Sequence, residues 1–433
     1  MLSENGVSYS DCLSKRAQEG IVVCRTASVV SCSAGEFIGE YDPETNPRGV
    51  IDMHSAENKM VFDLLREKLQ SCVESPKTWA DNMFLHAYDE PEGVFELRDA
   101  VAKFLTVTAR AHNPLDPNKM MVINGAYPGL EAMGHVICDA GEAVLLPVPG
   151  YYGVYSSLKI RANVDVVPIL LTEEQRSGET EPFQLTVERT EEAYQKAVHE
   201  GIRVKGLFLV NPNNPLGDVY SRTQVLDLLK FAKRHDLHVV LDEVYMNCVF
   251  NDATSHCSIF QFSEDEIPDL HKVHVIWTFS KDLGMSGMRI AVIYTWNKAV
   301  RDALISIAHF QAVPTGWQRM MARMLADTDW FANVFLPFSL GKLKEIHSYF
   351  VEGLRKIGIP CLHRPSGLYV WADLSKFLSA PTSEAELELN QKLLESGVQF
   401  SPGLNCQGRE RGWFRVVFAR IKTRKTIELG KKS

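Results

Sequence analysis

The stretch VHVIWTFSKDLG, residues 273 to 284, joins an apolar run of strand length to a polar turn. It predicts a strand over Val273–Thr278, with Lys281 just beyond the strand's end. Further apolar runs of similar length are separated by helix-like stretches in several places. They are Met120–Ile123, Ala143–Pro147, Val164–Leu170, Gly206–Val210, Leu237–Leu241 and Ile290–Thr295. This alternation predicts an α/β fold with a mostly parallel, seven-stranded sheet.

Helical periodicity and the later strands suggest how the chain divides into domains. Thr223–Arg234 has the apolar spacing of an amphipathic helix, and Leu336–Gly358 predicts one or two long helices. Beyond them, Leu368–Leu374 and Trp413–Ala419 look like strands of a smaller α+β unit. We predict a large domain over residues 75–325 and a C-terminal small domain over 326–433. Residues 1–74 would contribute to that small domain.

Composition excludes several classes of function. The chain has 433 residues, 45% hydrophobic and 23% charged, with a net charge of −8. The acidic balance argues against nucleic acid or an anionic membrane as partner. Nine cysteines are scattered without a C-x-x-C pair or a Cys/His cluster at metal spacing. We therefore predict a soluble cytoplasmic protein that holds no metal, and the N-terminus shows no signal-peptide pattern.

Two chemically useful side chains follow neighbouring strands. Lys281 follows Val273–Thr278, and desolvation beside other cations would turn its amine into a nucleophile for carbonyls. Asp242 ends the strand Leu237–Leu241, where a carboxylate is costly unless it meets a cation or several donors. Tyr245 lies three residues further on. Taken alone, Lys281 fits a surface lysine and Asp242 fits a helix cap.

Two turns complete the set of features at strand ends. Residues Asn211 to Gly217 read NPNNPLG, and two Asn-Pro steps force a tight turn that would hold an Asn amide rigidly. After Met120–Ile123 comes NGAYPG, residues Asn124 to Gly129, which leads into a helix. Small residues at a helix N-terminus suit a phosphate. Each turn has a plain structural explanation, and it is their joint order that indicates a ligand site.

With these residues in place, the sequence resembles the fold-type I pyridoxal-phosphate (PLP) enzymes of the class I/II aminotransferase superfamily. Within it, the likeness is greatest to the 1-aminocyclopropane-1-carboxylate (ACC) synthases and covers nearly the whole chain. The motifs that carry it are YDP from Tyr41, NPRGVI from Asn46, AEN from Ala56, the Asn-Pro turn, SKDLG from Ser280 and GWFRV from Gly412. The resemblance implies a large PLP-binding domain, a smaller α+β domain and a homodimer with shared active sites.

The resemblance also implies roles for individual residues. Lys281 would form a Schiff base with PLP and shuttle the Cα proton, and Asp242 would pair with the pyridine nitrogen. The remaining cofactor contacts would come from Asn214 and Tyr245 at the phenolic oxygen, Tyr151 or Tyr152 stacked on the ring, and Gly125, Ala126, Tyr127, Thr278, Ser280 and Arg289 around the phosphate. Tyr88 would reach that phosphate from the neighbouring subunit. The substrate would meet Arg415, Glu57, Asn214 and His86, with Arg415 clamping the α-carboxylate.

Two departures from the family pattern bear on the substrate. Tyr127 stands where the family has a small or hydroxyl residue in the phosphate cradle. The family's QDYHG segment is replaced by HAYDEPEG, residues His86 to Gly93. By contrast, Glu57 lies in the Ala-Glu-Asn motif that is typical of the synthases.

The expected reaction begins with removal of the Cα proton of an amino acid by Lys281. Cleavage of a C–S bond by α,γ-elimination, as in an ACC synthase, is the first hypothesis. A C–S β-lyase that acts on cysteine conjugates, as in fungal secondary metabolism, is the second, and an aminotransferase is the third. A ligand sensor built on the PLP fold without catalysis is the alternative from another class.

Overall fold

The computed structural model describes residues 13–28, 39–42, 44–73, 87–251 and 256–421. Its strands are β1 Ile51–Asp52, β2 Met120–Ile123, β3 Ala143–Val148, β4 Asp165–Leu170, β5 Val204–Val210, β6 His238–Asp242, β7 Val273–Thr278, β8 Ala291–Thr295, β9 Tyr369–Asp373, β10 Val398–Gln399, β11 Ser401–Pro402 and β12 Trp413–Val417. Seven of them form one sheet in the order β2-β8-β7-β6-β5-β3-β4. Only β8 runs against its neighbours in this sheet. The predicted seven-stranded, mostly parallel sheet is confirmed.

The large sheet is buried on both faces because its strands are apolar at successive positions. In β5, Leu207 and Leu209 belong to one hydrophobic cluster, whereas Phe208 and Val210 belong to a second. Side chains of a strand alternate between the two faces, so the two clusters are the cores above and below the sheet.

Helices cover the sheet and connect its strands. They are α1 Lys15–Ser28, α2 Phe62–Cys72, α3 Phe95–Thr108, α4 Ala126–Ile137, α5 Tyr152–Ser157, α6 Val187–His199, α7 Arg222–Arg234, α8 Phe279–Asp282, α9 Lys298–Ser306, α10 Thr315–Leu325, α11 Thr328–Trp330, α12 Leu336–Lys356 and α13 Ser383–Glu395. Local sequence sets several helix starts: Ser221 and Gln224 form a capping box before α7. The long segment predicted near residue 336 is the single helix α12, which a π-helical turn joins to α11.

The register of the sheet brings the turns that follow its strands to one edge. Val210 of β5 pairs with Asp242 of β6, and Asp242 pairs with Ile276 of β7. Across β8, Thr278 and Ile123 both pair with Ala291. Parallel strands that end in register place their following turns side by side. This alignment places segments that are far apart in sequence next to one another at one edge of the sheet.

Two smaller sheets form the rest of the structure. β11, β12 and β9 make an antiparallel sheet, and β1 pairs in parallel with β10, so Ile51 lies opposite Val398. The N-terminal part of the chain thus pairs with the C-terminal part. The division into a large and a small domain stays a prediction. Within the described ranges, no helix is long and apolar enough to cross a membrane.

Candidate active site

Most of the predicted site residues line one cavity of about 300 Å³ at the carboxyl edge of the large sheet. Those among its walls are Glu57, Ala126, Tyr127, Tyr151, Asn214, Asp242, Tyr245, Thr278, Ser280, Lys281, Arg289 and Arg415. His54, Ser55, Ala56 and Ser286 also line it, and none of these four was predicted as a site residue, although Ala56 belongs to the Ala-Glu-Asn motif. Three of the four immediately precede Glu57 in the chain, and that closeness to the Ala-Glu-Asn motif was the available signal.

Lys281 is held in the cavity by a short helical turn. Thr278 caps this turn: its Oγ1 accepts from the backbone N–H of Ser280 at 3.2 Å and donates to the carbonyl of Ile290 at 2.8 Å. The Nζ of Lys281 donates to the carbonyl of Ala56 at 2.6 Å. Burial, reinforced by the charge of Arg415, lowers the pKa of Lys281 to about 8. The amine is therefore partly neutral near physiological pH.

Asp242 presents an unsatisfied carboxylate oxygen to the same cavity. The residue is 4% exposed, and its Oδ1 has no hydrogen-bond partner among the described residues. Burial raises its pKa to about 7, although the backbone N–H of Val244 and the charge of Lys281 act to lower it. An oxygen buried in this way is completed by a donor or a cation.

Asn214, Tyr245 and Arg415 form a connected group beside Asp242. The Nδ2 of Asn214 donates to the hydroxyl of Tyr245 at 3.4 Å, and Nη1 of Arg415 donates to Oδ1 of Asn214 at 3.0 Å. Nη2 of Arg415 donates to the carbonyl of His54 at 2.8 Å, while its Nε has no partner in the described chain. Burial, followed by the charge of Arg415, lowers the pKa of His54 to about 4, so Arg415 faces a neutral ring.

A cradle suited to an anion lies at the start of α4. Gly125 has φ of +120°, and a Cβ there would lie 2.2 Å from Nη2 of Arg289. Only glycine gives this backbone shape and lets the guanidinium approach so closely. Ala126 at the N-terminus of α4, Arg289, Thr278 and Ser280 all line the same cavity, and helix N-termini, guanidinium groups and hydroxyls are groups that bind anions.

The neighbouring tyrosines 151 and 152 have different surroundings. The ring of Tyr151 lies in the cavity with Asp242, and it packs so closely on Gly153 that a Cβ there would be 2.2 Å from Cε1. Tyr152 instead donates through its hydroxyl to the carbonyl of Val23 in α1 at 2.7 Å. It lines an adjoining cavity of about 320 Å³ but not the one that holds Asp242. Of the two, Tyr151 has the position suited to stacking on a ring.

Three further residues were predicted to belong to the site, and one of them lines the cavity. Glu57 lines the cavity, where its carboxylate accepts from Ser286 at 2.8 Å and from Arg420 at 2.9 Å. Tyr88 lies outside it, with a fully exposed side chain. His86 lies outside the described residues. The described part of the chain also contains no cluster of side chains that could hold a metal ion.

Comparisons with known proteins address the family of this chain. The model of the family "Aminotransferase class I and II" matches residues 51–429. The ACC synthase-like protein 1 of Bos taurus is 42% identical over 380 residues, covering 88% of this chain and 74% of that protein. An ACC synthase of Glycine max is 34% identical, covering 88% of this chain and 79% of that protein.

Two further comparisons address activity and fold. The probable inactive ACC synthase-like protein 2 of Homo sapiens is 39% identical, covering 88% of this chain and 66% of that protein. The crystal structure of an aromatic aminotransferase from Pyrococcus horikoshii superposes with a TM-score of 0.73 at 20% identity, covering 88% of this chain and 93% of that one. That likeness shows the fold of the fold-type I enzymes. The chain therefore belongs to the class I and II aminotransferase family, as an ACC synthase-like member.

Proposed function

We propose that this chain is a PLP-dependent enzyme that removes the Cα proton of an amino acid and cleaves a C–S bond. The observation that carries the proposal is the unpartnered oxygen of Asp242, which shares a cavity with the amine of Lys281. A buried carboxylate without a partner is costly in a finished site. A cationic ring nitrogen would complete it, while the lysine engages the aldehyde of the same ligand.

The residues present fit the rest of PLP as well. Gly125, the N-terminus of α4 and Arg289 suit its phosphate, and Asn214 and Tyr245 are donors suited to its phenolic oxygen. Tyr151 offers a ring face beside them. When bound, PLP would supply a conjugated ring that accepts the electron pair left at Cα after proton removal.

The chain's own side chains would orient the substrate and move the proton. Arg415 is buried, its Nε is unpartnered, and its planar guanidinium suits an α-carboxylate. Lys281, with its pKa of about 8, exists partly as the free amine that takes a proton from Cα. Asp242 would hold the proton on the ring nitrogen through its negative charge.

The reaction class follows from the ACC synthase-like motifs and relatives. In α,γ-elimination the proton leaves Cα, the sulfur leaves Cγ with its electron pair, and the two carbons join. Glu57, which the synthase-like motif supplies, lies in the cavity and is fixed by Ser286 and Arg420. This position supports a role at the substrate rather than at the surface.

A second candidate, a C–S β-lyase acting on a neutral thioether, is favoured by the adjoining cavity. Tyr127 and Tyr151 line both that cavity and the candidate active site. No aspartate or glutamate of the described chain lines the adjoining cavity. Burial raises the pKa of Cys406 to about 11, and the pKa of His54 is about 4, so both are neutral at pH 7. A sulfonium would find no carboxylate here, whereas an uncharged thioether needs none.

Cofactor attachment tests the central claim. The wild-type chain with added PLP should gain visible absorbance, and borohydride should then fix the cofactor to the peptide that contains Lys281. Lys281→Ala should abolish this fixation. Lys272→Ala, at the opposite end of β7, is the matched control and should leave it intact. A wild type that stays colourless and unlabelled would contradict the proposal.

Product analysis separates the reaction classes. The holoprotein is incubated in parallel with S-adenosylmethionine, a cystathionine-like thioether and an amino/keto acid pair. Methylthioadenosine plus ACC supports α,γ-elimination, thiol plus pyruvate and ammonia supports the β-lyase, and a transferred amino group supports an aminotransferase. Bound PLP without turnover of any of these would instead support a non-catalytic protein, as the name of the probable inactive human relative suggests for that protein.

We also infer a homodimer with shared sites. Tyr88 lies outside the cavity and its side chain is fully exposed, which supports a contact with a second copy. Light scattering on the purified holoprotein measures the mass directly. A monomer at micromolar concentration would contradict the inference.

A further inference from the structure

Tyr369 lies next to the candidate active site but does not line its cavity. It is the first residue of β9, in the three-stranded sheet, and only 1% of its surface is exposed. Its hydroxyl donates to the carbonyl of Asn213 at 2.9 Å, 156 residues away in sequence. A side chain of the smaller unit thus contacts the Asn-Pro turn of the large sheet.

Tyr369 and Ser366, which lies three residues before it, hold two points of this turn. Tyr369 donates to the carbonyl of Asn213, near the middle of the turn, and the hydroxyl of Ser366 donates to the carbonyl of Gly217, at its end. Within the turn, the N–H of Gly217 donates to the same Asn213 carbonyl at 2.9 Å. Asn214, whose amide contacts Tyr245 and Arg415, lies between these two fixed points.

The ring of Tyr369 contacts the other two members of that group. It meets the ring of Tyr245 edge to face, with centroids 5.5 Å apart and planes at 87°. The Cζ of Arg415 lies 5.8 Å from its centroid, within the range of a cation–π contact. Gly367, at φ of +72°, leaves space for the ring, because a Cβ there would be 3.0 Å from its Cζ.

We propose that Tyr369 is a positioning residue that holds the amide of Asn214, the phenol of Tyr245 and the guanidinium of Arg415 in one arrangement. The inference rests on the proposed PLP function, in which Asn214 and Tyr245 serve the cofactor and Arg415 the substrate carboxylate. Tyr369 would touch neither ligand. Removing its hydroxyl should nevertheless change both carboxylate recognition and the cofactor's surroundings, whereas a residue that only fills the core would change stability alone.

The test compares Tyr369→Phe with Tyr294→Phe. Tyr294 is also buried, on β8, and its hydroxyl accepts from the N–H of Asp116 at 3.5 Å, away from the cavity. The probes are aminooxyacetate, which carries a carboxylate, and hydroxylamine, which does not. The nitrogen of either probe replaces the Lys281 nitrogen on the cofactor carbon and releases the lysine as its amine. The fall in visible absorbance gives both rates.

The ratio of the two rates measures carboxylate recognition without knowledge of the substrate. Loss of one hydrogen bond to the turn should lower this ratio roughly fivefold to tenfold in Tyr369→Phe. The pH at which the visible absorbance changes should also shift. Tyr294→Phe should match the wild type in both, and the two variants should melt at similar temperatures.

Each outcome decides the inference. The inference would be overturned if Tyr369→Phe had a ratio of rates within about twofold of the wild type and an unshifted pH of the absorbance change. Equal effects in the two variants would overturn it as well. If the wild type binds no PLP, the proposed function fails, and crystal structures of the cofactor-free wild type and Tyr369→Phe then decide. Unchanged positions of Asn214, Tyr245 and Arg415 in that variant would overturn the inference independently.

Discussion

Two buried aspartates close to Lys281, Asp242 and Asp282, differ in how their oxygens are satisfied. Asp242 ends β6, and Asp282 directly follows Lys281. They are 4% and 1% exposed, and burial raises the pKa of each to about 7. By burial and by pKa the two carboxyl groups are alike.

Their hydrogen bonds separate them. Asp282 accepts from Nε1 of Trp277 at 2.8 Å, from Nδ2 and the backbone N–H of Asn247 at 2.9 and 3.0 Å, and from Sγ of Cys248 at 3.5 Å. Asp242 leaves its Oδ1 without a partner among the described residues. The chain therefore supplies partners to both oxygens of Asp282, which ties the turn that carries Lys281 to the loop after Tyr245, whereas one oxygen of Asp242 has no partner among the described residues. Burial alone does not mark a functional carboxylate.

The largest effect should come from Asp242→Asn. The neutral amide would not hold a proton on a ring nitrogen, so exchange of the Cα proton for deuterium should slow by about 10²–10³-fold. NMR in D₂O with a panel of amino acids measures this exchange in the reconstituted variant. Asp236→Asn, at an exposed position before β6, is the control. An exchange rate within tenfold of the wild type would show that Asp242, like Asp282, serves stability rather than removal of the Cα proton.

Asp282→Asn should reverse the pattern, with a large effect on stability and a smaller one on chemistry. The amide would place its own N–H groups against donors from Trp277 and Asn247, which should cost about 2–4 kcal/mol in the free energy of unfolding. Urea unfolding of the cofactor-free variant measures it. Full stability, or loss of exchange as complete as in Asp242→Asn with stability intact, would contradict the distinction.

The pH dependence of stability should isolate the cost of the unpartnered carboxylate. Its pKa is raised from 3.8 to about 7 on folding, so the native state retains a proton that the unfolded chain has lost. The stability gained from this retained proton is complete below the pKa of the unfolded chain. It falls by about 1.4 kcal/mol per pH unit between the pKa of the unfolded chain and that of the folded chain, and it is lost above pH 7. His54 and His347, whose pKa values are lowered to about 4, act in the opposite direction.

The measured quantity is therefore the difference between the cofactor-free wild type and Asp242→Asn. Between about pH 5 and pH 7 the wild type should lose roughly 2–3 kcal/mol relative to the variant. Urea unfolding at several pH values provides the two slopes. Parallel slopes would show that Asp242 does not carry the buried charge.

The smallest effect should come from a single donor to Asp282. Trp277→Phe keeps a ring between Phe104 and Phe279 but removes the N–H, and it should cost about 1–2 kcal/mol in excess of a matched control. Trp371→Phe is that control, because this buried indole N–H has no partner among the described residues. Equal losses of unfolding free energy in the two variants would show that the Trp277–Asp282 hydrogen bond does not contribute to stability.

Sequence reasoning found the strands and most of the site, because both depend on local pattern. Each predicted strand of the large sheet is present, with ends that differ by at most two residues. The turns at Asn214 and Gly125, the strand end at Asp242 and the lysine at 281 were visible from their position after apolar runs. Tyr151 and Tyr152 were not separable, since adjacent residues of one motif differ only in which cavity each ring enters.

The contacts that Asp282 and Tyr369 make beside the candidate site were not predicted, for a physical reason. The donors to Asp282 include Asn247 and Cys248, more than thirty residues away, and the acceptor of Tyr369 lies 156 residues away. No periodicity or turn preference records such distances. They arise when the segments that follow β5, β6 and β7 come together with one another and with β9.

By itself the sequence determined the alternation of strands and helices, the order of the turns and the chemical types available to a ligand site. Those properties follow from side-chain period and local backbone preference, which act over a few residues. The tertiary structure decided which of the described polar atoms found partners in the chain and which did not. Hydrogen bonding of a buried group depends on every element that packs around it, and so Asp242 and Asp282 differ only in the folded protein.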